Sequence, residues 1–295
     1  MSSDRHIRTS ERCGSRGSIA LALIASLALA PAPQLDLKAL LRRAGEYAAE
    51  YHERFTALVA EEHYVQRTGP DPRRPMTGRL LVEKERTLRS EYVLVRDFAG
   101  AGSWIGVRDV MEVDGQPVPE RGQLHSLLDD TSRPLAARIR ALSDLEAKYN
   151  IGDVYRTINV PTLPLEFLLP DRQPRFRFKS AGPATLGGTP AIRVTFEERE
   201  RPTIIQTPGG RSAPSRGTFW LDPETGAVLR SELRVSPTFG IPVDAMIVVG
   251  YKHNDRLDML LPDDMNEMYF TRGDRIEGHA TYTNYRRFET EVRIK

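Results

Sequence analysis

The residues of this sequence that could carry chemistry are its histidines and its paired carboxylates. The histidines beyond the N-terminal segment are His52, His63, His125, His253 and His279. No H-E-x-x-H motif occurs, and no two of these histidines lie within helical or strand reach of each other, so a zinc site would have to be assembled from distant positions. The spacing therefore favours solvated or locally bonded histidines over a metal site.

Other catalytic motifs are also missing from the sequence. It contains no G-x-S-x-G elbow, no P-loop and no G-x-G-x-x-G before a helix. The acidic pairs Asp129-Asp130 and Asp263-Asp264 lie beside predicted turns or helix ends, where solvated caps are more typical than glycosidase acids or calcium ligands. We therefore predict no enzymatic activity, no cofactor and no metal. The alternative is an enzyme whose site is assembled from scattered residues, for example His63 or His279 with distant carboxylates.

The N-terminus has the pattern of an export signal. Four arginines (Arg5, Arg8, Arg12 and Arg16) precede an apolar run from Ile19 to Ala30, which is too short to span a bilayer but suits a signal-peptide core. We predict a signal peptide over residues 1–32 with an uncertain cleavage site, and an uncleaved N-terminal anchor is the alternative. The single cysteine, Cys13, precedes the apolar run, so no lipobox is present. The expected location is the periplasm or the exterior.

Composition excludes several classes of function. Beyond the leader the chain has no cysteine, which excludes disulfides, a thiolate nucleophile and Cys-ligated zinc. The leader holds four of the 42 basic residues and two of the 40 acidic ones, so the remainder is neutral. Arginine greatly outnumbers lysine, but no basic stripe is visible along the sequence, and we predict no nucleic-acid partner.

The elements that must position any site are two helices and many strands. Apolar residues at three- and four-residue steps predict a long amphipathic helix over Leu35–Tyr64, and a second helix is predicted over Arg133–Tyr149. The segment Asn159–Pro174 is apolar and rich in proline, which is typical of a lid or a buried connector. From Arg175 onward short alternating segments are separated by turn residues. We predict an α+β fold in which a large curved antiparallel sheet, an incomplete barrel, is covered by the two helices.

One hairpin is especially clear. In "FWLDPETGAVLRSEL" (Phe219–Leu233), Asp222 can cap a turn, Pro223 presets its first φ angle and Gly226 supplies a left-handed position. These residues predict a type I turn closed by a bulge, followed by a half-buried strand. The stretch is a corner of a sheet and carries no chemistry of its own.

A curved sheet under helices can enclose an apolar cavity. The candidate lining residues are aromatic or sulfur-containing strand residues: Phe176, Phe178, Phe196, Phe219, Trp220, Met246, Met268, Tyr269 and Tyr282. Within the predicted lid, Leu165, Phe167 and Leu168 would close the cavity. The same alternation would also suit a filled core, and the sequence does not separate the two.

The leader, the long helix, the antiparallel sheet and the "WLDPETGAVLRSEL" hairpin together resemble periplasmic lipoprotein carriers of the LolA/LolB type. The stretch "RTLRSEYVLVR" (Arg86–Arg96) is similar to early strands of such proteins. The resemblance implies a single half-barrel domain over residues 33–295 with a cavity for acyl chains. It departs from the family in its greater length, its added helix and its proline-rich connector.

Two non-enzymatic functions therefore compete. The first is a periplasmic protein that binds a lipid, a lipoprotein acyl chain or another apolar small molecule in a half-barrel cavity. The second is an interaction or sensor module of the envelope that binds a protein partner through its surface.

Overall fold

The structure is a computed structural model. It describes residues 36–54, 57–73, 83–96, 104–119, 132, 137, 141, 144–152, 154, 156, 158–207, 210–236, 244–271 and 273–287. The predicted signal peptide and the histidine at position 125 lie outside the described residues.

Helix α1 runs over Leu37–Arg54 and begins at an acidic cap. The Asp36 carboxylate accepts hydrogen bonds from the backbone N–H groups of Lys38 at 3.0 Å and Ala39 at 3.2 Å, which satisfies donors that a helix start leaves open. Its apolar stripe, which includes Leu40 and Ala44, is fully buried. Within the described residues, no helix is both long enough and apolar enough to cross a membrane.

The prediction of one helix over Leu35–Tyr64 is wrong in its second half. Helix α1 ends at Arg54, and residues from Ala57 onward form a strand. The apolar residues near Leu58 and Val59 fit a helical spacing, but Leu58, Ala60, Glu62 and Tyr64 are buried at every second position, as a strand requires. Pairing with a strand on each side decides the structure of this segment.

Eleven strands of the described chain form one antiparallel sheet. Their bounds are β1 (Ala57–Pro70), β2 (Lys84–Arg96), β3 (Trp104–Val113), β4 (Gln116–Pro117), β5 (Phe176–Leu186), β6 (Thr189–Glu198), β7 (Ser215–Leu221), β8 (Val228–Val235), β9 (Asp244–Asn254), β10 (Met259–Phe270) and β11 (Asp274–Arg287). The order across the sheet is β4-β3-β2-β1-β11-β10-β9-β8-β7-β6-β5, so the first long strand pairs with the last. The sheet is open, with β4 and β5 at its edges, and the predicted α+β incomplete barrel is confirmed.

Two further covering elements lie between β4 and β5. Of the predicted helix Arg133–Tyr149, residues 137, 141 and 144–147 are helical, residues 148–149 form a turn, and the remaining residues lie outside the described part. A short 3₁₀ helix then spans Leu163–Leu168, inside the predicted lid. We call it the 3₁₀ segment.

The hairpin predicted over Phe219–Leu233 is present, and a second tight hairpin joins β3 to β4. Asp114 and Gly115 have φ angles of 50° and 77°, the left-handed pair that a two-residue turn between β3 and β4 needs. In the β7–β8 hairpin, Asp222 Oδ1 accepts hydrogen bonds from the Glu224 N–H at 2.9 Å and the Thr225 N–H at 2.7 Å. Gly226 follows with a φ of 76°.

The β7–β8 corner also positions α1. A Cβ at Gly226 would lie 2.5 Å from the Ala44 nitrogen, so only glycine permits this approach to the helix. The Arg43 guanidinium donates from Nη2 to the Pro223 carbonyl at 2.9 Å. The corner is thus a docking point for the helix as well as a turn.

Candidate functional site

The sheet has two chemically different faces. We call inner the face that contacts α1 and the 3₁₀ segment, and outer the opposite face. Trp104 of β3 meets Tyr51 of α1 at 6.1 Å between ring centroids, and Phe196 of β6 meets Phe167 of the 3₁₀ segment at 5.6 Å. Because side chains alternate along a strand, these contacts assign every second residue of each strand to the inner face.

A cluster of phenylalanines occupies the inner face of β5, β6 and β7. Phe167 stacks on Phe176 at 4.9 Å, and Phe196 stacks on Phe219 at 4.8 Å. Phe178 is half-buried and lies 5.9 Å from Phe176. We call the four strand residues Phe176, Phe178, Phe196 and Phe219 the phenylalanine cluster. The sequence prediction named these four among its nine candidate lining residues, and the structure brings them together.

Tyr269 and Tyr282, the predicted tyrosines, also lie on the inner face but in another place. They belong to β10 and β11, three and four strands away from β7. The Tyr269 hydroxyl donates to Glu267 at 2.6 Å, and Tyr282 packs on Tyr92 at 5.4 Å. Neither tyrosine belongs to the phenylalanine cluster.

Three residues of the predicted lining lie on the wrong face of the sheet to line a cavity on the inner side. They are Trp220, Met246 and Met268. Each is the sequence neighbour of an inner-face residue, so alternation turns it to the outer face, where all three are half-buried. The prediction combined Phe219 with Trp220 and Met268 with Tyr269, and a strand cannot direct both members of such a pair to one side.

The 3₁₀ segment fills the space above the phenylalanine cluster. Leu165, Phe167 and Leu168, the three predicted lid residues, are all fully buried. A 3₁₀ helix of six residues, about two turns, therefore supplies the apolar cover at this end of the sheet. A 3₁₀ turn has no long cooperative helix to support it, so tertiary contacts must keep it in place.

Three polar side chains, Gln173, Tyr251 and Glu166, hold the 3₁₀ segment and the residues beside it. Gln173 Nε2 donates to the Leu41 carbonyl of α1 at 2.9 Å and to the Leu168 carbonyl at 2.7 Å. The Tyr251 hydroxyl donates to the Pro161 carbonyl at 2.7 Å. The buried Glu166 carboxylate forms an ion pair with Arg172 and accepts the Trp104 backbone N–H at 2.7 Å.

The other end of the inner face carries a buried ion cluster centred on Arg108. Glu62 accepts from Arg108 Nε at 2.6 Å and from Nη2 at 2.8 Å, and Glu146 accepts from Nη1 at 2.9 Å. The Arg108 and Glu62 side chains are 2% and 0% exposed. Burial raises the pKa of Glu146, whereas Arg108 opposes that shift.

A second group continues this cluster. Glu267 accepts hydrogen bonds from the Tyr64 and Tyr269 hydroxyls, and Arg156 lies 3.7 Å from its carboxylate. Burial raises the pKa of Glu267 to about 8 and lowers the pKa of Arg156 to about 10. Arg156 also donates to Gln66 at 2.7 Å and to the Ile151 carbonyl at 2.8 Å, so these residues tie the segment after Tyr149 to the sheet. We call the Arg108 and Glu267 groups together the ion cluster.

Sequence reasoning missed the ion cluster for an identifiable reason. It assigned Glu62 and Tyr64 to the end of a helix, where a glutamate is an ordinary solvated residue. In strand register, Glu62, Gln66 and Glu267 alternate with outward residues and face inward, and polar residues at inward positions would have been the signal.

The four histidines in the described part of the chain lie in different places. His63 and His279 lie on the outer face, both exposed, and border different grooves of about 470 and 200 Å³. His253 is exposed and contacts Asp255 at 3.1 Å, and His52 of α1 packs on Trp104. No group of three His, Cys, Asp or Glu side chains within the described residues is placed to hold a metal ion.

No protein-family model matches the chain, and no curated protein is similar to it in sequence. Solved structures are similar to it at low identity. A domain from Vibrio parahaemolyticus, provisionally named an outer membrane lipoprotein-sorting protein, shares 12% identity with a TM-score of 0.36, covering 86% of this chain and 95% of that one. A LolA superfamily protein from Nitrosomonas europaea shares 9% at a TM-score of 0.34, covering 87% and 96%. The Mycobacterium tuberculosis lipoprotein LppX shares 11% at 0.29, covering 86% and 98%.

The predicted resemblance to the LolA/LolB type is confirmed as a resemblance, since proteins of that type are among these structures. At TM-scores below 0.5 the similarity carries no conclusion about ligand, partner or activity.

Proposed function

We propose that this chain is a non-enzymatic, exported binding protein that accepts an apolar ligand on the phenylalanine cluster. The ligand class is a lipid or lipoprotein acyl chain. In this proposal the 3₁₀ segment moves away from β5, β6 and β7, and the acyl chain takes the place of its side chains. The described structure then corresponds to the ligand-free, closed form.

The observation that carries the proposal is the nature of the cover over the phenylalanine cluster. In an ordinary filled core a long helix or a second sheet covers such a surface. Here Leu165, Phe167 and Leu168 of one short 3₁₀ helix cover it. The contacts of Phe167 with Phe176 and Phe196 are apolar and non-directional, so an acyl chain can replace them. The exchange also breaks the hydrogen bond from the Trp104 N–H to Glu166.

The exchange sets a minimum chain length. Each buried leucine or phenylalanine side chain contributes roughly 1.5–3 kcal/mol, so exposing the three lid side chains costs about 6 kcal/mol. A buried methylene contributes about 0.8 kcal/mol, so about eight methylenes are needed to offset that loss. Long-chain fatty acids should therefore bind and short ones should not.

The test is uptake of a chain-length series by the purified protein. We expect hexadecanoic acid to displace a fluorescent fatty-acid probe and to appear as a bound mass in native mass spectrometry, while hexanoic acid does neither. Phe167→Ala shortens the lid side chains and should raise the affinity for long chains, although it costs about 3–5 kcal/mol of stability as a core truncation.

Leu88→Ala is the matched control, because Leu88 is equally buried but lies on β2 beneath the other end of the sheet. It should lower stability and leave uptake unchanged. Absence of long-chain uptake in both the unaltered protein and Phe167→Ala contradicts the proposal.

A further inference from the structure

The outer face of β5, β6, β7 and β8 is unusually basic. The outward residues of these strands include six cations, Arg177, Lys179, Arg193, Arg216, Arg230 and Arg234, and only two acids, Glu197 and Glu232. The sequence shows no basic stripe because these residues are spread over nearly sixty positions, and strand pairing brings them to one surface. We call this surface the basic face.

Ion pairing inside the basic face is incomplete. Glu197 is shared between Arg177 at 2.8 Å and Arg199 at 3.0 Å, and Glu232 pairs with Arg234 at 2.7 Å. Arg216 and Lys179 have no ion-pair partner within the described part of the chain. Arg216 lies between Glu197 of β6 and Arg234 of β8 in the register of the sheet. Like charges at paired positions destabilise a sheet, so an external anion near Arg216 and Arg234 would relieve their repulsion.

The basic face also has an aromatic centre. Trp220 lies between Arg193 and Arg230 in a row across β6, β7 and β8. The Arg230 guanidinium is 5.3 Å from the Trp220 ring centroid, and the indole is half-buried. A groove of about 350 Å³ runs beside this row. Its charged lining residues are the four cations Arg177, Lys179, Arg216 and Arg234 and the two acids Glu197 and Glu232.

We propose that the basic face docks on the surface of an anionic phospholipid bilayer, with the headgroup phosphates in the groove. Arginine guanidinium groups match phosphate oxygens with several donors at once, and tryptophan favours the headgroup level, where its ring is apolar and its N–H is wet. An acidic protein partner is the rival occupant of matching charge, and the test below includes polyglutamate in order to distinguish it. Docking does not require an acyl ligand, so the proposal goes beyond the function proposed above.

The test is co-sedimentation of the purified protein with vesicles of phosphatidylglycerol and phosphatidylcholine, compared with pure phosphatidylcholine vesicles. We expect binding to the anionic vesicles only, and loss of that binding at about 0.5 M salt because the contacts are screened. Each basic residue near an anionic surface contributes about 1 kcal/mol, which is about a fivefold change, so the triple variant Lys179→Gln, Arg216→Gln, Arg234→Gln should bind roughly a hundredfold more weakly.

The matched control removes as many charges from the outer face at the other end of the sheet. Arg67→Gln, Arg89→Gln, Arg275→Gln alters arginines that pair with Glu85, Glu112 and Glu277. We expect less than a fivefold change from this variant. Equal losses in the two triple variants would mean that net charge, not the basic face, determines binding, and would overturn the proposal.

A fluorescence readout locates the contact. The chain has two tryptophans, so in Trp104→Phe protein all tryptophan emission comes from Trp220. That emission should move to shorter wavelength on anionic vesicles and be quenched by brominated lipids. Binding without a change in Trp220 emission overturns the proposal, as does tight binding of polyglutamate with no vesicle binding. Vesicle binding without fatty-acid uptake supports the proposal that the basic face docks on a bilayer, and it contradicts only the proposed binding of an acyl chain.

Discussion

The two ends of the inner face are closed by opposite kinds of interaction. Under the segment 144–156, strands β1, β3 and β10 present the ion cluster, in which a bidentate pair joins Arg108 to Glu62. Under the 3₁₀ segment, β5, β6 and β7 present phenylalanines, of which Phe196 stacks on Phe219 and Phe176 stacks on Phe167 of the segment itself. One end is closed by an ion cluster of fixed geometry. The other is closed mainly by apolar contacts that a hydrocarbon can replace, with Glu166 as its one buried carboxylate among the residues of the 3₁₀ segment.

This difference indicates where the fold can open. Separating a buried ion pair leaves uncompensated charge in a medium of low dielectric constant, so the ion cluster acts as a clamp. Separating apolar surfaces loses only the free energy of burying them, and an incoming acyl chain restores that burial. We therefore expect ligand-linked motion at the phenylalanine cluster and none at the ion cluster.

The outer faces differ in a parallel way. Around β1 and β2 the outward arginines are matched by acids, as in the pairs Arg67–Glu85 at 2.6 Å and Arg89–Glu112 at 3.3 Å. Behind the phenylalanine cluster, Arg216 and Lys179 have no such match among the described residues. The end of the sheet that is proposed to exchange an apolar ligand is thus the end whose outer face is proposed to meet a bilayer.

The largest expected effect comes from breaking the clamp. Arg108→Met leaves the buried carboxylates of Glu62 and Glu146 unpaired and should lower the free energy of unfolding by about 3–5 kcal/mol. Urea unfolding measures this loss. Arg89→Met, which removes an exposed pair, should cost at most about 1 kcal/mol.

A rescue variant separates lost charge balance from lost packing. Replacing the whole triad, with Glu62→Leu and Glu146→Leu added to Arg108→Met, should restore much of the stability because no unpaired charge remains. If Arg108→Met lowers the free energy of unfolding no more than Arg89→Met does, the ion cluster does not hold its end of the sheet closed. The two ends of the inner face would then not differ in stability.

A smaller effect, of the order of a few kcal/mol, should appear as a pH dependence at Glu267. Burial raises the pKa of this carboxyl from its ordinary value of 4.5 to about 8, so the folded state binds a proton that the unfolded state releases within that window. The stabilising contribution is complete below about pH 4.5 and is lost as the pH rises through 8. Urea unfolding at several pH values should show Glu267→Gln becoming more stable than the unaltered protein as the pH increases.

The control for this prediction is Glu277→Gln, which removes a half-exposed carboxylate paired with Arg275 on β11. It checks whether a general change in net charge produces the same trend. Identical pH profiles for the unaltered protein and Glu267→Gln would show that the Glu267 carboxyl does not take up a proton on folding.

The fold was predictable from the sequence where the residues of a segment specify the same structure that strand pairing requires. Asp222 and Gly226 specify their turn through a side-chain cap and a left-handed φ angle, whatever the rest of the chain does. The end of α1 was not predictable, because Leu58 and Val59 satisfy helical and strand spacing equally well. Pairing of β1 with both β2 and β11, which are distant in sequence, decides between them.

The candidate site was predictable only in part. Alternation identified Phe196 and Phe219 as inward, but only strand register assigns Trp220 to the opposite face. The ion cluster and the basic face each combine residues from several strands, and no segment of the sequence contains enough of either to signal it. Strand order is the missing information in both cases.

The smallest expected effect concerns the two hydrogen bonds by which Gln173 holds the 3₁₀ segment in place. Gln173→Met keeps the length of the side chain but removes both hydrogen bonds, to the Leu41 and Leu168 carbonyls. Two such bonds contribute about 1–2 kcal/mol together. If they hold the 3₁₀ segment closed, the variant should increase the population of the open form by about tenfold, because 1.4 kcal/mol corresponds to a factor of ten.

Hydrogen exchange distinguishes local opening from general destabilisation. The Leu165 amide, which donates to the Thr162 carbonyl at 3.0 Å, should exchange faster in Gln173→Met, while amides of β1 should not change. Arg43→Met is the matched control, because it removes a hydrogen bond from α1 to the β7–β8 corner and leaves the 3₁₀ segment untouched. Faster exchange throughout the sheet would mean that Gln173 stabilises the whole fold. The two ends of the inner face would then open together, which would contradict the proposal that only the 3₁₀ segment moves.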